Sequence, residues 1–204
     1  MMFHKKPAAI PLMLAFAAAL SGCVSFGGKP PERLLSLDAT QKVAPGTLRT
    51  VTAGTTITVA DPEAPKLLDT VRVPVRTSST SVAYVTKVQW ADTPRHLFQK
   101  LLSETIAATS NRIVLDPGQY SADAGQRLMG ELVEFGLDEA SNNAVVTYDA
   151  ILAGPGGTAL ARQRFTASAP VGGKIEAGNI GAPLNAAANK VAGEVAVWLA
   201  SSGR

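Results

Sequence analysis

The stretch Asp92-Thr93-Pro94-Arg95-His96-Leu97-Phe98-Gln99-Lys100-Leu101-Leu102-Ser103-Glu104-Thr105-Ile106 decides how this chain folds. Leu97, Phe98, Leu101, Leu102 and Ile106 recur at the spacing of one face of an α-helix. Thr93 supplies an N-cap, and Pro94 takes the first helical position, where its missing N–H costs nothing. The helix is predicted to stop near Ser110-Asn111. On both sides of it the apolar period changes from helical to alternating, so this helix sits among strands.

Upstream, residues 56–60 (TITVA) are β-branched and read as a strand that Asp61-Pro62 breaks. A short helical turn is expected at 65–68. Residues 70–76 (TVRVPVR) alternate, with Val71, Val73 and Val75 on one face and Arg72 and Arg76 on the other. Pro74 inside that run marks an edge strand or a bulge, because proline cannot donate to the ladder. A turn at 78–81 leads to a strand at 82–88. Residues 38–54 are polar and turn-rich, and read as loop or an edge segment.

Downstream, 112–115 is a short strand ended by Asp116-Pro117-Gly118. Residues 127–137 form a longer strand with Met129, Val133 and Phe135 on one face. Residues 143–153 alternate, Gly154-Pro155-Gly156-Gly157 is a turn, and 158–168 complete a hairpin. After a loop at 172–181, a second helix begins near Ala182-Pro183. Its stripe is Leu184, Ala188, Val191, Val195, Trp198 and Leu199, and Ser201-Ser202-Gly203 ends it. This order predicts an α+β single domain: a mixed, mainly antiparallel sheet with two amphipathic helices on one face.

The amino-terminal segment has a different logic. His4, Lys5 and Lys6 give a basic start, and an apolar run of 13 residues follows from Ala8 to Leu20. That is too short to span a bilayer, which needs about 20 residues. Leu20-Ser21-Gly22-Cys23 closes the run with the only cysteine of the chain. Basic start, apolar run and small residues are the parts of a cleaved signal peptide. With Cys placed just after them, the segment reads as a bacterial lipobox, the signal at which Cys is lipidated and the leader cut. Residues 1–22 are then the signal peptide, 23–32 the lipidated N-terminus and tether, and 33–204 the folded domain. A lone Cys forms no internal disulfide, which removes the usual reason for a secreted protein to keep one.

Composition bounds the function. The formal net charge is +3, and Lys5 and Lys6 lie in the leader, so the remainder is close to neutral. Without clustered Lys and Arg, nucleic acid is not an expected partner. The mature chain keeps one histidine, His96, on a helix surface, where a solvated residue is the ordinary reading and a catalytic one the exception. With Cys23 lipidated, His96 is the only remaining His or Cys ligand, so neither a metal site nor a cofactor is expected, and the chain does not read as an enzyme. Gly154–Gly157 lacks the Lys-Ser/Thr of a phosphate loop and leads into a strand, so it reads as a hairpin turn. Glu131 and Glu134, three apart on a strand, are expected on opposite faces and make a poor acid/base pair. Arg162 and Arg164 share a strand face; they fit either a solvated face or contacts with lipid phosphates or a partner's carboxylates. Trp90 fits either the core or an exposed interface anchor.

The order Ile57-Thr58-Val59-Ala60, Leu67-Leu68-Asp69, Arg72-Val73-Pro74-Val75-Arg76, Val88-Gln89-Trp90-Ala91-Asp92 and then the 97–102 helix resembles the ABC-type transport auxiliary lipoprotein family. Gly130-Glu131-Leu132-Val133-Glu134-Phe135 looks like that family's glycine–hydrophobic–phenylalanine strand. The resemblance covers roughly 33 to 200 and departs from the family at Arg33-Leu34-Leu35-Ser36-Leu37, where relatives often place a tyrosine. It implies a non-enzymatic lipoprotein serving an MCE-type lipid transport system of the Gram-negative envelope. Its partners would be a periplasmic MCE-domain protein, the transporter's permease and ATPase, and the membrane through the acyl anchor. It also leaves open assembly with further copies of itself into a ring. Val24 after the lipidated cysteine, in place of the Asp that commonly retains lipoproteins in the inner membrane, implies the outer membrane in that family context. The residues alone leave another class open: a lipoprotein that regulates an envelope enzyme such as a peptidoglycan synthase.

Overall fold

The computed structural model describes residues 30–50, 56–115 and 125–202. Its elements run β1 (Arg33–Leu35), β2 (Thr56–Val59), β3 (Arg72–Arg76), β4 (Val82–Trp90), α1 (Pro94–Thr109), β5 (Ile113–Leu115), β6 (Gln126–Asp138), β7 (Asn143–Ala153), β8 (Ala159–Pro170) and α2 (Gly181–Ser202). The 3₁₀ turn Pro155–Gly157 joins β7 to β8. The fold class expected from the sequence is the one observed. The predicted terminus Asp116-Pro117-Gly118 lies outside the described residues.

The long strand β6 organises the sheet. One of its edges pairs with β7 along nearly its whole length, and β7 pairs with β8, both antiparallel. Its other edge is shared. Gln126–Leu128 pair in parallel with β2, which continues to β5. Leu137 and Asp138 pair in parallel with β3, which continues to β4 and β1. The sheet therefore forks: β6, β7 and β8 form its trunk and two short arms leave from opposite ends of β6. Antiparallel pairing carries most of the paired length.

Both helices cover one face of the trunk. In α1 the apolar stripe is buried as expected, with Leu97, Phe98, Leu101, Leu102 and Ile106 in the core. Phe98 meets Tyr148 and Phe135 edge-on at 5.3 and 6.2 Å, and Trp90 meets Phe135 at 5.4 Å. These are the offset geometries aromatic quadrupoles favour. In α2, Leu184, Ala188, Val191, Val195 and Leu199 are buried, and Trp198 lies half-buried against Phe165 at 5.7 Å. Alanines at 187, 188, 192 and 196 let the helix lie close on β7 and β8.

Three local expectations need correcting. Thr93 holds the N-cap position with extended backbone, but its hydroxyl makes no capping bond. The Asp92 carboxylate instead accepts the Thr93 N–H at 2.7 Å, where negative charge favours the helix start. Met129, Val133 and Phe135 do not share one face. A bulge between Leu132 and Glu134 shifts the register, so Leu128 and Leu132 before it and Phe135 and Leu137 after it all face the core, while Val133 is exposed. The same bulge puts Glu131 and Glu134 on the outer face together rather than on opposite faces. The Leu132-to-Phe135 interval of three residues is thus compatible with burial of both.

Pro74 does mark a bulge, since the β3–β4 register shifts between Arg72 and Pro74. The extra residues lie on β4 around Lys87, whose φ of 67° places a non-glycine residue in the left-handed region. This kink costs on the order of 1 kcal/mol. It is tied down where the chain enters the domain: the Glu32 N–H bonds the Lys87 carbonyl at 3.0 Å, and the two side chains pair at 3.2 Å.

Candidate interaction surfaces

Cys23 and Leu20, Ser21 and Gly22 lie outside the described residues. The domain's first contacts are the Glu32–Lys87 pair and β1, which lies parallel along the end of β4. The described part of the chain therefore enters the sheet at its β1 edge. Beside that entry is a groove of about 640 Å³ whose walls include Tyr84, Lys87, Lys174 and Glu176. No helix among the described residues is long and apolar enough to cross a membrane.

Trp90 takes its core reading. It is 2% exposed, packed on Phe135, and is not an exposed anchor in this fold. Its indole N–H finds no partner among the described residues.

Arg162 and Arg164 share the outer face of β8, as their spacing predicts, and are joined there by a residue the sequence reading passed over. Asp149 on β7 lies opposite Arg164. Its carboxylate receives Arg164 Nε at 2.5 Å and Nη2 at 2.7 Å, a bidentate fork, and Arg162 Nη2 at 3.2 Å. These bonds, Arg164's first, hold the Asp149 carboxyl below the usual carboxylate range against the opposing effect of burial. Reciprocally, Asp149 raises Arg164. The two arginines are therefore not free cations waiting for phosphate; each already serves an internal carboxylate, although both side chains remain largely exposed. A signal for this was present: a turn centred on Gly154–Gly157 folds Asp149 back across Arg164, and an ionisable residue in mid-strand needs a partner.

His96 is not simply solvated. Its Nδ1 lies 3.2 Å from Asp92 Oδ1 and its Nε2 lies 3.2 Å from Asp61 Oδ2, while Lys100 approaches Asp92 at 3.6 Å. The Thr93 N–H, first, and then His96 and Lys100 lower the Asp92 carboxyl below its ordinary range. The ring thus ties the segment after β2 to the start of α1. Among the described residues no group of His, Cys and carboxylates is placed to hold a metal.

The fork of the sheet leaves an apolar cleft of about 260 Å³ between Leu67, Pro74, Val82 and Val133. Arg76 stands on its rim, bonded to Glu134 at 3.1 Å and to Asp138 at 3.4 Å. The Ser141 hydroxyl donates to the other Asp138 oxygen at 2.6 Å and, with Arg76, holds that carboxyl low.

The fold recurs in solved structures. The crystal structure of a DUF330-family protein from Xanthomonas campestris superposes with a TM-score of 0.69 at 17% identity, covering 83% of this chain and 96% of that one. The crystal structure of an uncharacterized protein superposes with a TM-score of 0.64 at 11% identity, covering 86% of this chain and 100% of that one. At these identities the likeness speaks for the fold alone. No curated protein matches the sequence. The family model described as the ABC-type transport auxiliary lipoprotein component matches residues 35–196, from β1 into α2, and the chain belongs to that family.

Proposed function

We propose that this protein is a periplasm-facing outer-membrane lipoprotein that acts as the docking component of an MCE-type ABC lipid transporter. The observation that carries the reading is the family match over residues 35–196 behind the sequence Leu20-Ser21-Gly22-Cys23. The family supplies the transporter; the lipobox supplies the place. One acyl chain gives only reversible membrane attachment, while two or more hold a domain stably at about 0.8 kcal/mol per buried CH₂. The acyl set of a bacterial lipoprotein exceeds that threshold. The working part is then a binding module that acts through protein–protein contacts, consistent with the occupancy of Arg162 and Arg164 by Asp149.

Affinity purification of the tagged, lipidated protein from detergent-solubilised envelopes tests the role. An MCE-domain protein is expected to copurify; clean copurification with a cell-wall synthase instead would establish the regulatory alternative. Cys23→Ala is expected to abolish acylation and release the domain to the soluble fraction, and salt-resistant membrane association of that variant would reveal a second anchor. Placing Asp at position 24 is expected to move the protein from the outer- to the inner-membrane fraction on a density gradient.

A further inference from the structure

We propose that the open edge of β8, together with the groove between it and α2, is a contact surface for a second copy of this chain. The two copies pair antiparallel about a two-fold axis, β8 against β8. Their trunks then form one continuous sheet, with the two α2 helices side by side on it.

β8 is a strand of 12 residues paired on one side only, to β7. Among the described residues nothing bonds the backbone on its other side between Ala161 and Pro170. An edge of that length is a template for another strand. Proteins that keep such an edge single guard it with proline, a bulge or unbalanced charge. β8 has no such guard from Ala161 to Ala169: its register there is unbroken, and the charges of Arg162 and Arg164 already serve Asp149.

Two separate arguments place the axis at the same point. Like charges directly opposite one another are destabilising, which disfavours registers centred on Arg162–Arg164. Centred on Ala167, the pairing sets Arg164 opposite Pro170 and Thr166 opposite Ser168, and Arg162 lies beyond the paired stretch. On α2, Lys190 and Glu194 line the groove, and neither makes an ion pair among the described residues. Antiparallel helices centred at the level of Ala192 bring Lys190 of each copy to Glu194 of the other, so one contact makes two ion pairs. α2 runs against the direction of β8, because Trp198 packs on Phe165 while Arg112 joins Leu199 to Gln126, at the start of β6. Ala192 is about 9 Å back along α2 from Trp198. Along β8 that distance is roughly two to three residues past Phe165, which is the position of Ala167.

The spacing suits a helix pair. α2 lies over β7 and β8, so its axis stands about one strand spacing, ~4.8 Å, from the two-fold axis. The two helices are then roughly 10 Å apart, an ordinary distance for packed helices. Val197, 73% exposed, and half-buried Trp198 line the groove of about 760 Å³ and come to lie against the second α2. A foreign strand satisfies the β8 edge equally well, but it brings no counter-charges set for both Lys190 and Glu194. A copy of this chain carries both at matching positions.

Disulfide cross-linking in isolated envelopes tests this with the full-length protein. Two differently tagged copies are coexpressed, one with Thr166→Cys and the other with Ser168→Cys. Copies that both carry Leu48→Cys, at an exposed position off β8, are one control, and the parent, with Cys23 alone, is the other. The expected result is an adduct carrying both tags from 166 and 168, and none from either control. Lys190→Glu in both copies, or Glu194→Lys in both, is expected to lower its yield about tenfold through like-charge repulsion. Lys190→Glu in one copy and Glu194→Lys in the other is expected to restore it, a rescue that damage to the folding of either copy does not give. No two-tag adduct, an equal adduct from Leu48→Cys, indifference to the charge changes, or no rescue by the mixed pair would each overturn the proposal. The contact joins copies two by two and does not involve the transporter, so failure of the MCE copurification and failure of this contact are separate outcomes.

Discussion

Gly130→Ala is expected to be among the most damaging single-methyl changes this domain can suffer. Gly130 lies on β6 opposite Ala150, with φ of +158°, and a Cβ built there would sit 2.0 Å from the Asp149 carbonyl oxygen and 2.9 Å from two ring carbons of Tyr148. The clash with backbone cannot be relieved by a rotamer change. β6 and β7 would have to part locally by about 1 Å, against an ordinary strand spacing of about 4.8 Å. That strains or breaks two neighbouring ladder bonds, at about 1 kcal/mol each, and endangers the bond from the Tyr148 hydroxyl to the Met129 carbonyl, worth about another 1 kcal/mol. Holding an L-residue at that φ adds about 1 kcal/mol or more. Reduced freedom of the unfolded chain returns roughly 0.5–1 kcal/mol. The net expectation is about 3 kcal/mol, or a fall in Tm of roughly 6–12 °C for a domain of this size. Urea unfolding of the mature domain, followed by the fluorescence of buried Trp90 and by circular dichroism, measures it. Gly172→Ala is the control, because a Cβ there meets nothing within 4 Å. If Gly130→Ala unfolds within about 0.5 kcal/mol of the parent, on the scale of an ordinary surface change, then the close approach of β6 and β7 at this point is wrong, and with it the seating of Tyr148 over Gly130.

Phe98→Ala removes the ring that joins α1 to Tyr148 and Phe135, and is expected to cost about 3–5 kcal/mol in the same assay. Asp149→Asn should flatten the acid limb of the stability curve. A carboxyl held below its unfolded range contributes stability above that range and loses it as pH falls through the folded value, so parent and variant should converge at low pH and diverge above about pH 4. Parallel curves down to acid would show that the arginine fork does not hold the charge. Gly193→Ala, on α2 where a Cβ meets nothing within 4 Å, is expected to stabilise by about 0.5–1 kcal/mol through helix propensity.

Helices and most strands were legible because their apolar periods are long and uninterrupted. The α1 stripe could be read only as a helix, and Gly154–Gly157 could hardly be anything but a turn between β7 and β8. What escaped the sequence has a common physical origin in pairing across distance. β1 is only Arg33–Leu35 and exists because the end of β4, more than fifty residues later, offers it an edge. Leu132-Val133 is apolar at both positions, so alternation fits either register, and only the pairing with β7 reveals that the strand slips there. Asp149 drew no notice because a single carboxylate in a strand has no pattern of its own; the hairpin register gave it Arg162 and Arg164. The reading of Leu20-Ser21-Gly22-Cys23 rests on the opposite kind of signal, one that is local and chemical.

The bulge at Leu132–Glu134 links these points. With this sequence and no bulge, strict alternation would put Leu132 and Phe135, three apart, on opposite faces, and one of them would leave the core. With it, both stay inside, Glu131 and Glu134 share the outer face, and Val133 turns outward. Deleting Val133 would therefore do more than remove an exposed side chain. It would bring Leu132 and Phe135 to a spacing of two, so that simple alternation keeps both in the core and the β6–β7 ladder runs on without a bulge. Val133→Ser, by contrast, keeps the backbone and changes only the rim. The deletion is therefore expected to cost well under the ~3–5 kcal/mol that loss of a buried Leu or Phe costs, and the serine variant should unfold within about 0.5 kcal/mol of the parent. Comparing the two separates what the extra backbone residue does from what its exposed side chain does.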